Sequence, residues 1–236
     1  MDTGRFWEID FARGVAVAMM IVFHLLFDLW YFKGISVAID SGFWLIFARA
    51  TLAMFLLLAG ISLSLSYSRT KDRLKPSQLA LKYIKRGSRI FLYGLIITAV
   101  TFIAFPQNAI WFGVLHLIGL SIILAIPLLA RRRLNLFIGL MLIVFGSCLA
   151  AFTAKFPWLL WLGLAPQNFY TFDYVPILPW FGVVLVGIFL GKSLFGSKKQ
   201  RKQLAHTEHI CWLGRHSLLI YLLHQFLLVG LILLVL

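Results

Sequence analysis

The chain has 236 residues, of which 61% are hydrophobic and 13% charged, and its formal net charge is +14. A water-soluble domain cannot hide that much apolar surface, so the composition excludes a soluble enzyme and predicts an all-α polytopic membrane protein. The positive excess falls almost wholly in alternate connections between apolar runs, which leaves little for a nucleic-acid-binding reading.

Seven segments reach the length of about 20 apolar residues that a hydrocarbon core demands: 12–32, 43–66, 88–105, 111–130, 134–154, 177–195 and 213–236. They predict a bundle of about seven transmembrane helices forming a single domain, 1–236. The first run is too long for a cleavable signal peptide, and no small-residue cleavage pattern follows it. Asp10, Arg13, His24 and Asp28 lie in or at the end of this run. At about 100° per residue the other three lie within roughly 60° of Asp10 on the helix surface, and His24 stands about 16 Å above Arg13. Charge inside a membrane helix is costly and usually functional, so this stripe could line a path for a molecule. Arg49 in the second span matches Asp28 in depth, and an Asp28–Arg49 ion pair is the simplest way to neutralise both.

The connection after the second span, YSRTKDRLKPSQLALKYIKRG, places apolar Leu79, Leu81 and Ile84 among basic residues. That pattern predicts a short amphipathic helix on the inner surface, feeding Lys82, Lys85, Arg86 and Arg89 toward the third span. Arg131, Arg132 and Arg133, and then Lys192, Lys198, Lys199, Arg201 and Lys202, fill the later basic connections, whereas Lys33 and Lys155 are alone in theirs. With Arg5 and Arg13 at the start, the N-terminus is expected in the cytoplasm and the C-terminus on the extracytoplasmic side. The basic face also suits anionic lipid headgroups.

His116 sits in the outer part of the fourth span. Residues 155–176, broken by Pro157, Gly163 and Pro166 and rich in Trp and Tyr, read as an interfacial or re-entrant segment that carries Asp173. In the last span Ser217, Tyr221, His224 and Gln225 share a polar face. Three histidines with Asp28, Arg49 and Asp173 turned into one bundle favour chemistry over packing alone. No metal is expected, because no i,i+4 histidine pair exists and neither Cys148 nor Cys211 has ligand spacing. Serine-nucleophile, Walker and dinucleotide motifs are also missing, which leaves a histidine as the agent.

The blocks WEIDFARG, FARATLAMFLLLAGISLSLSYSR, YIKRGSRIFLYGL, FGVLHLIGLS, LPWFGVVLVGIFLG and LGRHSLLIYLLHQ, in this order, span nearly the whole chain. Together they resemble the catalytic domain of the heparan-alpha-glucosaminide N-acetyltransferase family of transmembrane acyltransferases. Arg13 and His24, with ten residues between them, also reproduce the arginine–histidine signature of the related acyltransferase-three family. The resemblance implies transfer of an acetyl or short acyl group from cytosolic acyl-CoA to an amine or hydroxyl of an extracytoplasmic glycan or amino sugar. It implies His24 as general base or transient acyl carrier, a prokaryotic cytoplasmic membrane as the location, and a homodimer as a plausible assembly. In animal members the catalytic histidine follows the first span, where this chain reads Phe32-Lys33-Gly34, so the role of His24 rests on the wider signature.

The expected assignment makes His24 and Asp28 catalytic, with Asp28 stabilising the imidazolium. Arg13, Lys85, Arg86 and Arg89 hold the donor, acetyl-CoA, by its phosphates. Arg49, His116, Asp173 and His224 bind the acceptor or the developing oxyanion. The competing reading is a proton- or anion-coupled transporter using the same stripe, against which stands the lack of any detectable inverted repeat. A purely structural membrane subunit is a third, and the polar stripe makes it the least attractive.

Overall fold

A computed structural model describes residues 6–149, 151–196 and 203–235. Arg5, Lys198, Lys199, Arg201 and Lys202 lie outside the described residues. Eight α-helices form among those described: α1 (Trp7–Lys33), α2 (Gly42–Thr70), α3 (Pro76–Ala104), α4 (Val114–Leu124), α5 (Arg132–Leu149), α6 (Ile177–Phe195), α7 (Glu208–Arg215) and α8 (Ser217–Val235). No strand accompanies them among these residues beyond an isolated bridge between Phe112 and Tyr174. Six helices, α1, α2, α3, α5, α6 and α8, are long and apolar enough to cross a membrane. The chain is therefore a polytopic helical membrane protein.

The helices fall into two compact units, one of Met1–Leu58 with Lys199–Leu236 and one of Ala59–Lys198. In the first, α1 runs until Gly34, whose left-handed backbone (φ 64°) and N–H to the Trp30 carbonyl close the helix. The short α7 crosses α1 between Trp7 and Gly14: the Cys211 thiol reaches the Trp7 carbonyl at 3.6 Å, and Gly14 packs directly on the Ile210 backbone. Beyond His216, α8 rises beside α1 in the same direction, so that His224 arrives at His24 and Gln225 at Asp28.

In the second unit the amphipathic segment and the third span are one continuous helix, α3, not two. Pro76 opens it, and the Gln78 side chain accepts the Lys75 N–H at 3.1 Å, satisfying a donor at the helix start. Helices α5 and α6 pack antiparallel through small residues. A Cβ on Gly139 would come within 2.9 Å of the Gly182 carbonyl, while Phe137, Met141, Val144 and Phe145 face outward. Large side chains toward lipid and small ones toward the neighbour are the expected pattern when lipid is as apolar as leucine.

The fourth predicted span, 111–130, departs from expectation: only Val114–Leu124 is α-helical. Phe112 forms an isolated bridge with Tyr174, where the Val175 N–H donates to the Phe112 carbonyl at 2.8 Å, and Pro127 breaks the far end into a 3-10 turn. The segment still runs alongside α6 over its length, from Asp173 and Tyr174 at one end to Lys192 at the other. Its terminal carbonyls are not abandoned in apolar surroundings. Asn135 Nδ2 donates to those of Leu128 and Arg131, each at 2.8 Å, and Lys192 Nζ to those of Leu129 and Ala130.

Basic groups gather at that end of the unit. Arg132 donates to Ser193 Oγ at 3.0 Å, Lys192 lies over the Tyr67 ring, and Lys82 Nζ bonds Ser66 and Thr70. The aromatic segment 152–176 closes the opposite end. Phe152, Phe156, Trp158 and Trp161 are exposed there, and Tyr174 donates to the Leu160 carbonyl at 2.7 Å.

Candidate active site

The face of α1 that carries the ionisable stripe meets α7 at its lower end and α8 higher up. At its lower end Asp10 and Arg13 pair with each other at 3.6 Å, one helical turn apart, and Arg13 keeps 25% of its side chain exposed. Higher up, His24 Nδ1 lies 2.9 Å from the Met20 carbonyl and 3.3 Å from His224 Nε2. His224 Nδ1 in turn lies 2.8 Å from the Tyr221 carbonyl and 3.2 Å from that of Ile220.

These partners fix both tautomers. A carbonyl only accepts, so each Nδ1 that faces one must carry the proton. His224 Nε2 is then bare, and its lone pair faces the N–H of His24 Nδ1. His24 Nε2 is also bare, with no partner among the described residues. The pair thus presents one unprotonated imidazole nitrogen, on His24, whose ring is braced from behind by a second imidazole in edge contact at 4.8 Å between centroids.

Asp28 is held by α8 and not by Arg49. Its Oδ1 accepts from Gln225 Nε2 at 2.6 Å and its Oδ2 has no partner, so its carboxylate makes no hydrogen bond to His24. The Asp28–Arg49 ion pair is likewise absent among the described residues, and Arg49 is exposed. The physical reason is the register of α8: packing His224 on His24 brings the Gln225 amide onto the carboxylate. Neither His224 nor Gln225 was paired with its partner in the sequence, although both belong to the polar face legible there.

In the second unit Lys85, Arg86 and Arg89 are exposed on α3. His116 is buried at 2% exposure and fully engaged. Its Nδ1 accepts the Gly113 N–H at 3.2 Å, and its Nε2–H donates to Thr98 Oγ1 at 3.4 Å, whose own proton goes to the Ile110 carbonyl. The ring stacks on Phe112 and meets Phe91 edge-on. Asp173 Oδ2 accepts the Val114 N–H at 3.1 Å and thereby caps the start of α4, where Gly113 leaves room for the carboxylate. Both residues tie α4 to its neighbours.

Burial pushes the Asp173 carboxyl up from 3.8 to about 6, against the opposing pull of the Val114 N–H. The fold therefore favours the protonated acid, and its stabilising contribution is complete below the unfolded pKa and lost as the pH rises through about 6. Thermal stability followed from pH 4 to 7 is expected to show this decline, and Asp173→Asn, which keeps an acceptor for Val114 without the charge, to flatten it. An identical slope in the variant would remove Asp173 as its source. Among the described residues no group of three or more His, Cys, Asp or Glu side chains is placed to hold a metal ion.

A family model described as heparan-alpha-glucosaminide N-acetyltransferase, catalytic, matches residues 5–226, a range that includes α1, the His24–His224 pair and every other candidate residue. No curated protein and no solved structure matches the chain. With the match running over nearly its full length, the chain belongs to the heparan-alpha-glucosaminide N-acetyltransferase catalytic-domain family, a family of membrane acetyltransferases.

Proposed function

We propose that this protein moves an acetyl group from acetyl-CoA to the amine of an extracytoplasmic amino sugar or glycan, with His24 as general base. The observation that carries the reading is the placement of His24, with its Nδ1 held by the Met20 carbonyl and His224 and its Nε2 without a partner among the described residues. As the acceptor nitrogen attacks the thioester carbonyl, Nε2 takes its proton. The tetrahedral adduct collapses with cleavage of the C–S bond, and the proton passes from His24 to the departing thiolate. In the interval His24 is an imidazolium, and the His224 Nε2 lone pair, facing the Nδ1–H, stabilises its charge without relocating the ring. The same arrangement serves a hydroxyl acceptor, so the choice between N- and O-transfer lies with the acceptor-binding groups.

Donor phosphates are drawn to basic side chains, and Arg13 stands on the same helix face as His24, about 16 Å below it. Lys85, Arg86 and Arg89, exposed on α3, are the other basic candidates for the donor phosphates. The N-terminus is cytoplasmic in this reading, and the parallel course of α1 and α8 puts the C-terminal end of α8 on the other side. Arg13→Gln is expected to weaken acetyl-CoA binding by roughly tenfold or more, about 1.4 kcal/mol. An unchanged dissociation constant would confine Arg13 to its pairing with Asp10.

The reading is tested with detergent-purified full-length protein, comparing thermal stabilisation by acetyl-CoA with that by ATP and simple anions, then assaying label transfer from acetyl-CoA to glucosamine. Selective stabilisation with transfer supports an acetyltransferase. Stabilisation by simple anions alone, with no transfer, would favour the transporter reading.

A further inference from the structure

Asp28 is 1% exposed within the packed helices of the first unit. Its carboxylate receives a single hydrogen bond, from a neutral amide, and no cationic side chain pairs with it among the described residues. Two oxygens of this joined pair, Asp28 Oδ2 and Gln225 Oε1, are buried without a donor. An ionised carboxylate has room for about four hydrogen bonds and an amide oxygen for two. Leaving such capacity empty in apolar surroundings is costly, most of all when a charge is involved. Gln225 supplies a dipole and no charge, so the missing partner is one that brings positive charge and satisfies two oxygens together.

We propose that Asp28 Oδ2 and Gln225 Oε1 form a seat for one singly charged cationic group. Its chemistry suits two sources, the ammonium of an amino-sugar acceptor or a monovalent inorganic cation such as Na⁺. The first source rests on the acetyl-transfer reading and deepens it, because Asp28 stands one turn, about 6 Å, from His24 along the same face of α1. The ammonium would be recognised at Asp28 and leave one proton on its carboxylate, so that a neutral amine reaches His24. An amino group is thereby distinguished from a hydroxyl by a buried negative charge, which a neutral acceptor cannot compensate.

The test uses full-length protein in detergent with choline chloride holding ionic strength constant. NaCl, glucosamine and the neutral N-acetylglucosamine are titrated separately, with thermal shift and equilibrium dialysis as readouts. Glucosamine or Na⁺ is expected to stabilise the wild-type protein where N-acetylglucosamine does not. Asp28→Asn is expected to weaken that response at least about tenfold, and Gln225→Ala to weaken it less, while stabilisation by acetyl-CoA persists in both. A response to glucosamine that Na⁺ does not reproduce assigns the seat to the acceptor, and a response to Na⁺ alone assigns it to the inorganic cation. Equal responses in wild type and Asp28→Asn, or no response to either cation, overturn the proposal. Should Asp28→Asn fail to fold, Gln225→Ala together with competition between Na⁺ and glucosamine on the wild type decides. A cation response that persists in a protein unresponsive to acetyl-CoA would keep the seat and sink the acetyltransferase reading instead.

Discussion

His24→Ala is expected to lower acetyl transfer by roughly 10²- to 10⁴-fold, the usual worth of a positioned general base, while acetyl-CoA binding is retained. The imidazole is the only group on its stretch of α1 that offers a bare nitrogen, and its Nδ1–H is committed to the Met20 carbonyl and His224. Removing the ring deletes the proton acceptor without touching Arg13, three turns below. Measured label transfer from acetyl-CoA, beside acetyl-CoA affinity on the same preparation, separates the two effects. Undiminished transfer would remove His24 from the chemistry, and loss of affinity in step with loss of rate would make it a donor-binding residue. His224→Ala gives a useful contrast: the base remains but its brace is gone, so a smaller loss is expected, with a changed pH profile of the rate.

The membrane class, the helix positions and the polar faces of α1 and α8 were legible in the sequence because each depends on periodicity and hydropathy, which are local. What could not be read was which polar face meets which. Arg49 matched Asp28 in depth, and depth was the only coordinate that the sequence supplied. The helix that actually lies against Asp28 is α8, nearly two hundred residues away in the chain. The fourth span misled for a different reason. Its hydropathy is continuous across 111–130, but Pro127 and the extended pairing of Phe112 with residues 174–175 shorten the α-helix to Val114–Leu124. Hydropathy reports only that a segment is apolar, and carbonyl caps from Lys192 and Asn135 are what let a broken segment remain there. His116 shows the complementary case, a polar residue in an apolar run whose hydrogen bonds all serve packing.

Gly214→Ala is expected to be among the most damaging substitutions of a single methyl group, although residue 214 touches neither donor nor acceptor in the proposed reaction. A Cβ there would be driven into the Asp10 carbonyl, and one on Gly14 into that of Ile210, so the backbones of α1 and α7 meet through two glycines with no flexible side chain to yield. Overpacking of this kind costs about 1–3 kcal/mol or more. Separating the backbones also shifts where α8 begins, two residues beyond α7, and hence the alignment of His224 with His24 and of Gln225 with Asp28. Melting temperature and acetyl transfer are therefore expected to fall together in Gly214→Ala. Gly230→Ala is the matched control, since α8 has nothing within 4 Å of that position and alanine is the better helix former, so its stability should hold or rise by up to about 1 kcal/mol. If Gly214→Ala and Gly230→Ala behaved alike, the α1–α7 contact would not be what sets the register of the histidine pair.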